Sequence, residues 1–218
     1  MEDRHRYEIR FGRGHAIRFI SHLDLMRVWE RMFRRARLPI AYSQGFNPRP
    51  LITFAAPLPV GVLSRGDLLE AALGGLVPEE TVLQALRAQA VPGLEVEEVT
   101  AVPGRRRSLP ARMREARYEI ELEEATEGTV RGAIAALLAA PSIPVRTDRG
   151  DRVREYDLRP LVLELEYRGE PDPCLLARLR HDPQGTGRPD DLLRALGYDP
   201  AAARITRTEL VLAPAEER

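Results

Sequence analysis

The chain has 218 residues and carries 33 Lys+Arg against 33 Asp+Glu, for a formal net charge of zero; 44% of it is hydrophobic and 30% charged. That length suits one large domain or two small ones, the composition excludes a largely disordered chain, and the charge balance excludes a protein that holds nucleic acid by bulk positive charge. All 33 cationic residues are arginine, which excludes lysine chemistry, and the single cysteine, Cys174, excludes an intramolecular disulfide or a Cys-based zinc or iron–sulfur site.

Taken in chain order, Arg6–Phe11 alternates polar and apolar residues as a half-buried strand does. A helix is expected over about 21–37, strands around Leu51–Ala56 and Asp67–Leu73, a helix over about 78–89 and a strand around Leu94–Val99. Arg117–Leu122 then nearly repeats the opening strand. It is followed by a helix over about 128–140, strands around Arg152–Asp157, Leu161–Tyr167 and Cys174–Arg180, a helix over about 189–196 and a strand over Arg204–Leu212. Each half reads approximately β-α-β-β-α-β, with one strand too many in the second. The expected fold is α+β, two ferredoxin-like units packed together; a single larger α+β sheet is the alternative. The expected division is a first domain over 1–102, a linker over 103–116 containing Pro103-Gly-Arg-Arg-Arg-Ser-Leu-Pro110, and a second domain over 117–218.

The chemistry concentrates in residues 13–64. Ser21 is placed to cap the first helix, with Asp24 as its capping-box partner. At about 100° per residue, His22, Leu25, Met26, Trp29, Met32, Phe33 and Ala36 share one face, while Asp24, Arg27, Arg31, Arg34 and Arg35 share the other. The arginine stripe reads either as a solvated face partly paired with Asp24 and Glu30 or as a set of phosphate contacts. His22 reads either as a hydrogen-bonded edge of the core or as a general acid–base. Beyond the helix lies Ala41-Tyr-Ser-Gln-Gly-Phe-Asn-Pro-Arg-Pro50. Tyr42 and Phe46 offer rings for stacking, Ser43, Gln44, Asn47 and Arg49 offer hydrogen bonds, and Gly45 and Pro48 shape the turn. Tyr42 and Phe46 could equally tuck inward beneath a rigid turn. Gly185-Thr-Gly187-Arg188-Pro189 reads as a loop entering a helix at Pro189, with anion binding through Arg188 as the alternative.

Other chemistries lack their motifs: there is no phosphate-loop Gly–Lys motif, no G-x-G-x-x-G after a strand and no metal-spaced histidine pair on one helix, so no metal site is expected. No apolar run approaches the roughly 20 residues of a membrane span, and the first residues are too polar for a signal peptide. A cytoplasmic protein with no membrane partner is expected.

With Phe19-Ile-Ser-His-Leu-Asp-Leu-Met-Arg27, Arg34-Arg-Ala-Arg-Leu-Pro39 and Tyr42-Ser-Gln-Gly-Phe-Asn-Pro48 in one stretch, followed by Phe54-Ala-Ala-Pro-Leu-Pro-Val-Gly61 and Arg188-Pro189, the sequence resembles a radical-SAM-associated domain family of unknown function. Members of that family stand alone or are fused behind B12-binding-type radical SAM proteins. The resemblance implies a radical SAM protein as partner in trans. That partner, and not this chain, would carry an iron–sulfur cluster, S-adenosylmethionine and, in B12-binding types, cobalamin. Where the family pattern reads Asn-Pro-His-Pro, this chain has Arg49, so a scheme with two histidines lacks one of them here.

The zero net charge is itself a cancellation. Residues 1–50 hold 11 Arg against 5 acidic residues, and residues 51–218 hold 22 against 28. An anionic partner should therefore meet the first helix and its following loop. The leading expectation is a non-catalytic RNA-binding or substrate-presenting module for tRNA or rRNA. The alternatives are a metal-independent RNA-processing enzyme using His22 and a protein-docking adaptor for the radical SAM core.

Overall fold

The computed structural model describes residues 4–104, 106–122, 125–149 and 152–214; Arg105 of the expected linker lies outside them. The chain is mixed α+β and divides into two compact units, Met1–Met113 with Leu212–Arg218, and Arg114–Val211. No helix among the described residues is long and apolar enough to cross a membrane.

In the first unit the opening strand, β1 (His5–Arg13), is central. It pairs antiparallel with β3 (Leu63–Leu73) through Ile9↔Leu69 and with β4 (Leu94–Val102) through Ile9↔Val99. A short strand, β2 (Ile52–Phe54), pairs antiparallel with β3, giving the order β2-β3-β1-β4. The period-2 pattern of β1 works as read. Tyr7, Ile9 and Phe11 are fully buried in one cluster with α1 (His22–Arg35) and α2 (Glu79–Arg87). The intervening residues make ion pairs, Arg6 with Glu70, Glu8 with Arg112 and Arg10 with Glu98. Trp29 of α1 anchors the core, edge-on to Phe11 at 5.1 Å between ring centroids. Truncating a buried aromatic of this kind costs about 3–5 kcal/mol.

Both ends of α1 have local causes. The Ser21 Oγ accepts from the Asp24 backbone N–H at 3.1 Å and donates to the Asp24 carboxylate at 2.7 Å. At the other end Arg37 N–H donates to Arg34 O and Leu38 N–H to Phe33 O, a Schellman closure that buries Leu38. The left-handed residue it requires is Arg37, at φ 54°. Glycine takes that conformation without Cβ strain, whereas arginine does not. The stretch read as a linker, 103–116, contains α3 (Leu109–Arg112) and the start of β5 (Met113–Leu122).

In the second unit β5 lies between β9 (Cys174–Asp182) and β11 (Ala203–Leu212), and β8 (Val162–Arg168) pairs antiparallel with the far side of β9. A two-residue strand, β10 (Gly185–Thr186), also pairs with β9. The helices are α4 (Glu127–Ala139) and α5 (Pro189–Ala195). The surplus strand of the sequence reading is half of a separate antiparallel ribbon, β6 (Pro144–Arg149) with β7 (Arg152–Asp157). Tyr156 ties that ribbon to α5 by donating to the buried Asp191 carboxylate at 2.6 Å. β6 escaped the sequence reading because its apolar content is too low for an alternating pattern.

Candidate functional site

The first helix presents the two faces expected of it. Leu25, Trp29, Met32 and Phe33 are buried, and Arg27, Arg31, Arg34 and Arg35 are exposed. Of these only Arg27 pairs with a carboxylate among the described residues, with Asp24 at 2.9 Å. Hydrogen bonds from Ser21 and Arg27 hold the Asp24 carboxyl below its ordinary value, so it stays ionised. Arg31 Nε donates to the Arg27 carbonyl at 3.2 Å, which extends its guanidinium along the helix. Arg34, Arg35 and Arg37 are exposed and without an ion-pair partner among the described residues. The pairing part of the solvated alternative is met by Arg27 with Asp24, and the exposure of Arg31, Arg34 and Arg35 fits both readings of the stripe. Arg37 was not singled out in the sequence, where nothing marks a left-handed backbone except the Leu38-Pro39 that follows.

The loop after the helix is closed at its base. Ser43 N–H donates to Arg49 O at 2.9 Å and Arg49 N–H donates to Ser43 Oγ at 3.0 Å, above a bridge between Tyr42 and Pro50. Ser43 thus acts as the latch of the loop. Gln44, Gly45, Phe46 and Asn47 form an exposed tip. Gly45 has φ 133°, which favours glycine, and Pro48 leaves the tip on the far side. Phe46 has no cover at all, and Tyr42 is 48% exposed. Phe46 does not tuck inward and Tyr42 is only half covered, against the alternative of both rings held beneath the turn. The Arg49 side chain is exposed as well.

His22 sits elsewhere, at the start of α1. Its ring meets Phe54 edge-on at 5.0 Å between centroids and is half-buried. Burial and the neighbouring Arg13 guanidinium push its pKa below the ordinary histidine value, so it is neutral at pH 7. Arg13 is fully buried, and its Nη2 donates to the carbonyls of Arg18 at 2.8 Å and Pro59 at 2.7 Å. Gly61 N–H donates to the same Arg18 carbonyl at 2.8 Å. Arg18, just before α1, and the Phe54–Gly61 segment are thereby drawn together around one buried guanidinium. In the sequence Phe54–Gly61 figures only among the motifs of the family resemblance, and Arg13 is not singled out. Phe19 and Leu23 stand 67% and 64% exposed beside them, with the Arg18 guanidinium 4.4 Å over the Phe19 ring.

Arg188 belongs to the second unit, half-buried at the start of α5, and its Nε donates to the Asp190 carboxylate at 3.1 Å. The glycines before it have a packing cause. A Cβ on Gly185 would fall 2.7 Å from a Leu161 methyl, and one on Gly187 3.1 Å from Leu179 Cβ. Close approach explains Gly187, whose added Cβ would also lie 3.2 Å from the Leu161 carbonyl oxygen, more firmly than Gly185, whose neighbour is the end of a flexible side chain. Among the described residues no group of three or more His, Cys, Asp or Glu could hold a metal ion.

The family profile described as "Uncharacterized protein conserved in bacteria (DUF2344)" matches residues 6–189. The chain belongs to this family. No curated protein matches the sequence. Among solved structures, an unknown protein from Galdieria sulphuraria is similar at 12% identity and a TM-score of 0.29, over 96% of this chain and 100% of that one. A likeness that low carries no argument about fold or function. The family match covers the helix, the exposed loop and the Arg13 cluster alike, and it attaches no activity to any of them.

Proposed function

We propose that this family member is a non-catalytic RNA-binding module that presents tRNA or rRNA to a radical SAM enzyme in the cytoplasm. The observation that carries the RNA reading is the exposed face of α1, where Arg31, Arg34 and Arg35 have no carboxylate partner among the described residues. Guanidinium forks match phosphate oxygens, and contacts of this kind position an RNA without reading its sequence. The exposed Phe46 and Tyr42, flanked by Gln44, Asn47 and Arg49, supply stacking surfaces and base-edge hydrogen bonds. Arg37 supports the same reading, because a cation occupies a backbone position where glycine would be relaxed. The radical SAM partner, with its iron–sulfur cluster, S-adenosylmethionine and, in B12-binding types, cobalamin, rests on the resemblance of residues 19–61 and of Arg188-Pro189 alone. We further read each unit as ferredoxin-like, a reading supported by the element order and by β2-β3-β1-β4 and β8-β9-β5-β11 as strand orders.

Titration of tRNA and rRNA fragments tests the proposal. Binding that weakens at least about tenfold in an Arg31→Ala/Arg34→Ala variant is expected, equivalent to about 1.4 kcal/mol. Absence of binding to every fragment, or binding indifferent to that variant, ends it.

The enzyme reading keeps His22 as its candidate because the ring stands half-buried against Phe54 and, with burial and Arg13 lowering its pKa, is neutral and able to accept a proton at pH 7. RNA incubated with wild type and with His22→Ala separates the two: a product that disappears with His22 replaces the binding module with an enzyme. The adaptor reading draws on exposed Phe19 and Leu23, whose replacement by serine would then abolish co-purification with the radical SAM partner.

A further inference from the structure

Beside the arginine face, α1 and the chain leaving α2 enclose a cleft of about 160 Å³ lined by Val28, Arg31, Met32, Arg35, Gln89 and Val91. Pockets for drug-sized ligands start near roughly 300 Å³, so this one takes one planar ring system of its ligand, and the rest of that ligand lies outside, at the rim. The lining narrows the choice. Met32 is 2% exposed and, with the half-buried Val28 and Val91, supplies an apolar wall. Arg31 and Arg35 are helix neighbours at i,i+4 and set two exposed cations at the rim. Gln89 contributes a side-chain amide that can both donate and accept.

A bare anion would be pressed against an apolar wall, and a purely apolar group would leave two guanidiniums and an amide unused. One unstacked nucleotide satisfies all three kinds of lining. We propose that this cleft is a nucleotide subsite, in which a base lies against Met32, Val28 and Val91, its polar edge meets Gln89, and its phosphate is held by Arg31 and Arg35. The proposal rests on the RNA reading above and sharpens it, because the partner must then offer an unpaired nucleotide and not only a duplex backbone. The local field permits it. The C-terminal end of a helix is worth about half a negative charge, which two full cations outweigh. Among the described residues Arg35 has no ion-pair or hydrogen-bond partner, and Arg31 uses only its Nε, on the Arg27 carbonyl.

Methyl NMR with the intact chain tests the site directly, using uridine and adenosine monophosphates, the free nucleosides and inorganic phosphate as probes. The monophosphates should shift the Met32 and Val91 methyls and bind at least about tenfold more tightly than nucleoside or phosphate alone. Val91→Phe fills the cleft while keeping both arginines, and should abolish the response and weaken single-stranded RNA binding about tenfold. Should that variant misfold, Gln89→Leu serves instead and should erase any preference between the two bases. Equal binding of phosphate alone overturns the proposal, as does undiminished monophosphate binding by folded Val91→Phe. RNA binding lost in Arg31→Ala/Arg34→Ala but untouched by Val91→Phe overturns the subsite and leaves the arginine face standing. Monophosphate binding without any RNA binding overturns the RNA reading and leaves the subsite.

Discussion

The helices α1 and α4 hold the same place, each following the opening strand of its unit, and they are built to different ends. α1 buries Trp29, Met32 and Phe33 and exposes four arginines. α4 buries the smaller Val130, Ile134 and Leu137, and its one arginine, Arg131, is paired with Glu127 at 2.7 Å. Both start on a hydroxyl N-cap, Ser21 or Thr126, that accepts from the N–H three residues on. A helix at this place therefore forms without an arginine face, as α4 shows. In the proposed function this difference in charge serves binding: four exposed arginines on α1 against one paired arginine on α4.

The largest effect expected from that contrast concerns the core. Trp29→Ala should cost about 3–5 kcal/mol, more than Val130→Ala on the slimmer α4, read by urea unfolding of both variants. A loss near 1 kcal/mol would mean that α1 is not the anchor of its unit. Next comes a histidine contrast. Burial and then Arg207 bring His181 of the second unit down to about 4, while His22 is lowered to a lesser, half-buried degree. The unfolded chain takes up the His181 proton near pH 6.5 and the folded chain only near 4, so stability is full above pH 6.5 and falls as pH drops between those values. Discounted for partial exposure, that amounts to about 1–2 kcal/mol. Unfolding at pH 7 and pH 5 should show His181→Gln less sensitive to acid than wild type. Equal sensitivity would remove His181 from the account.

The capping contrast is smaller. Ser21→Ala and Thr126→Ala should each cost about 1 kcal/mol by thermal unfolding, and a much greater loss from Ser21 would show that it does more than cap. Smallest is Arg37→Gly, which relieves the left-handed backbone and should stabilise by about 0.5–1 kcal/mol while weakening RNA binding. Stabilisation without any loss of RNA affinity would remove Arg37 from the interface.

Much of this was legible in the residues. The spacing of Leu25, Trp29, Met32 and Phe33 against Arg27, Arg31, Arg34 and Arg35 gave both faces of α1, and Ser21 gave its start within a residue. The alternation in Tyr7, Ile9 and Phe11 gave the central strand of the first unit. What stayed hidden depends on contacts distant in sequence. Arg13 looked like one cation among many until the carbonyls of Arg18 and Pro59 closed on it. Gln89 and Val91 sit in an ordinary turn and gain meaning only from lying against Met32. Phe46 and Tyr42 could have turned inward on composition alone, because nothing local decides whether a loop ring faces core or water. The glycines at 185 and 187 kept an anion loop open as the alternative to a plain helix entry, because their packing on Leu161 and Leu179 cannot be read from sequence.

The salt dependence of RNA affinity is the most direct test of the arginine face. Anisotropy titrations of a single-stranded RNA over a series of salt concentrations would compare wild type, Arg31→Ala/Arg34→Ala on α1 and Arg131→Ala on α4. Each phosphate contact to a single strand contributes about 0.7 to the slope of log affinity against log salt. The account predicts a slope shallower by about 1.4 for the α1 variant and an unchanged slope for Arg131→Ala. Equal slopes for wild type and the α1 variant, or an equal loss from Arg131→Ala, would contradict it.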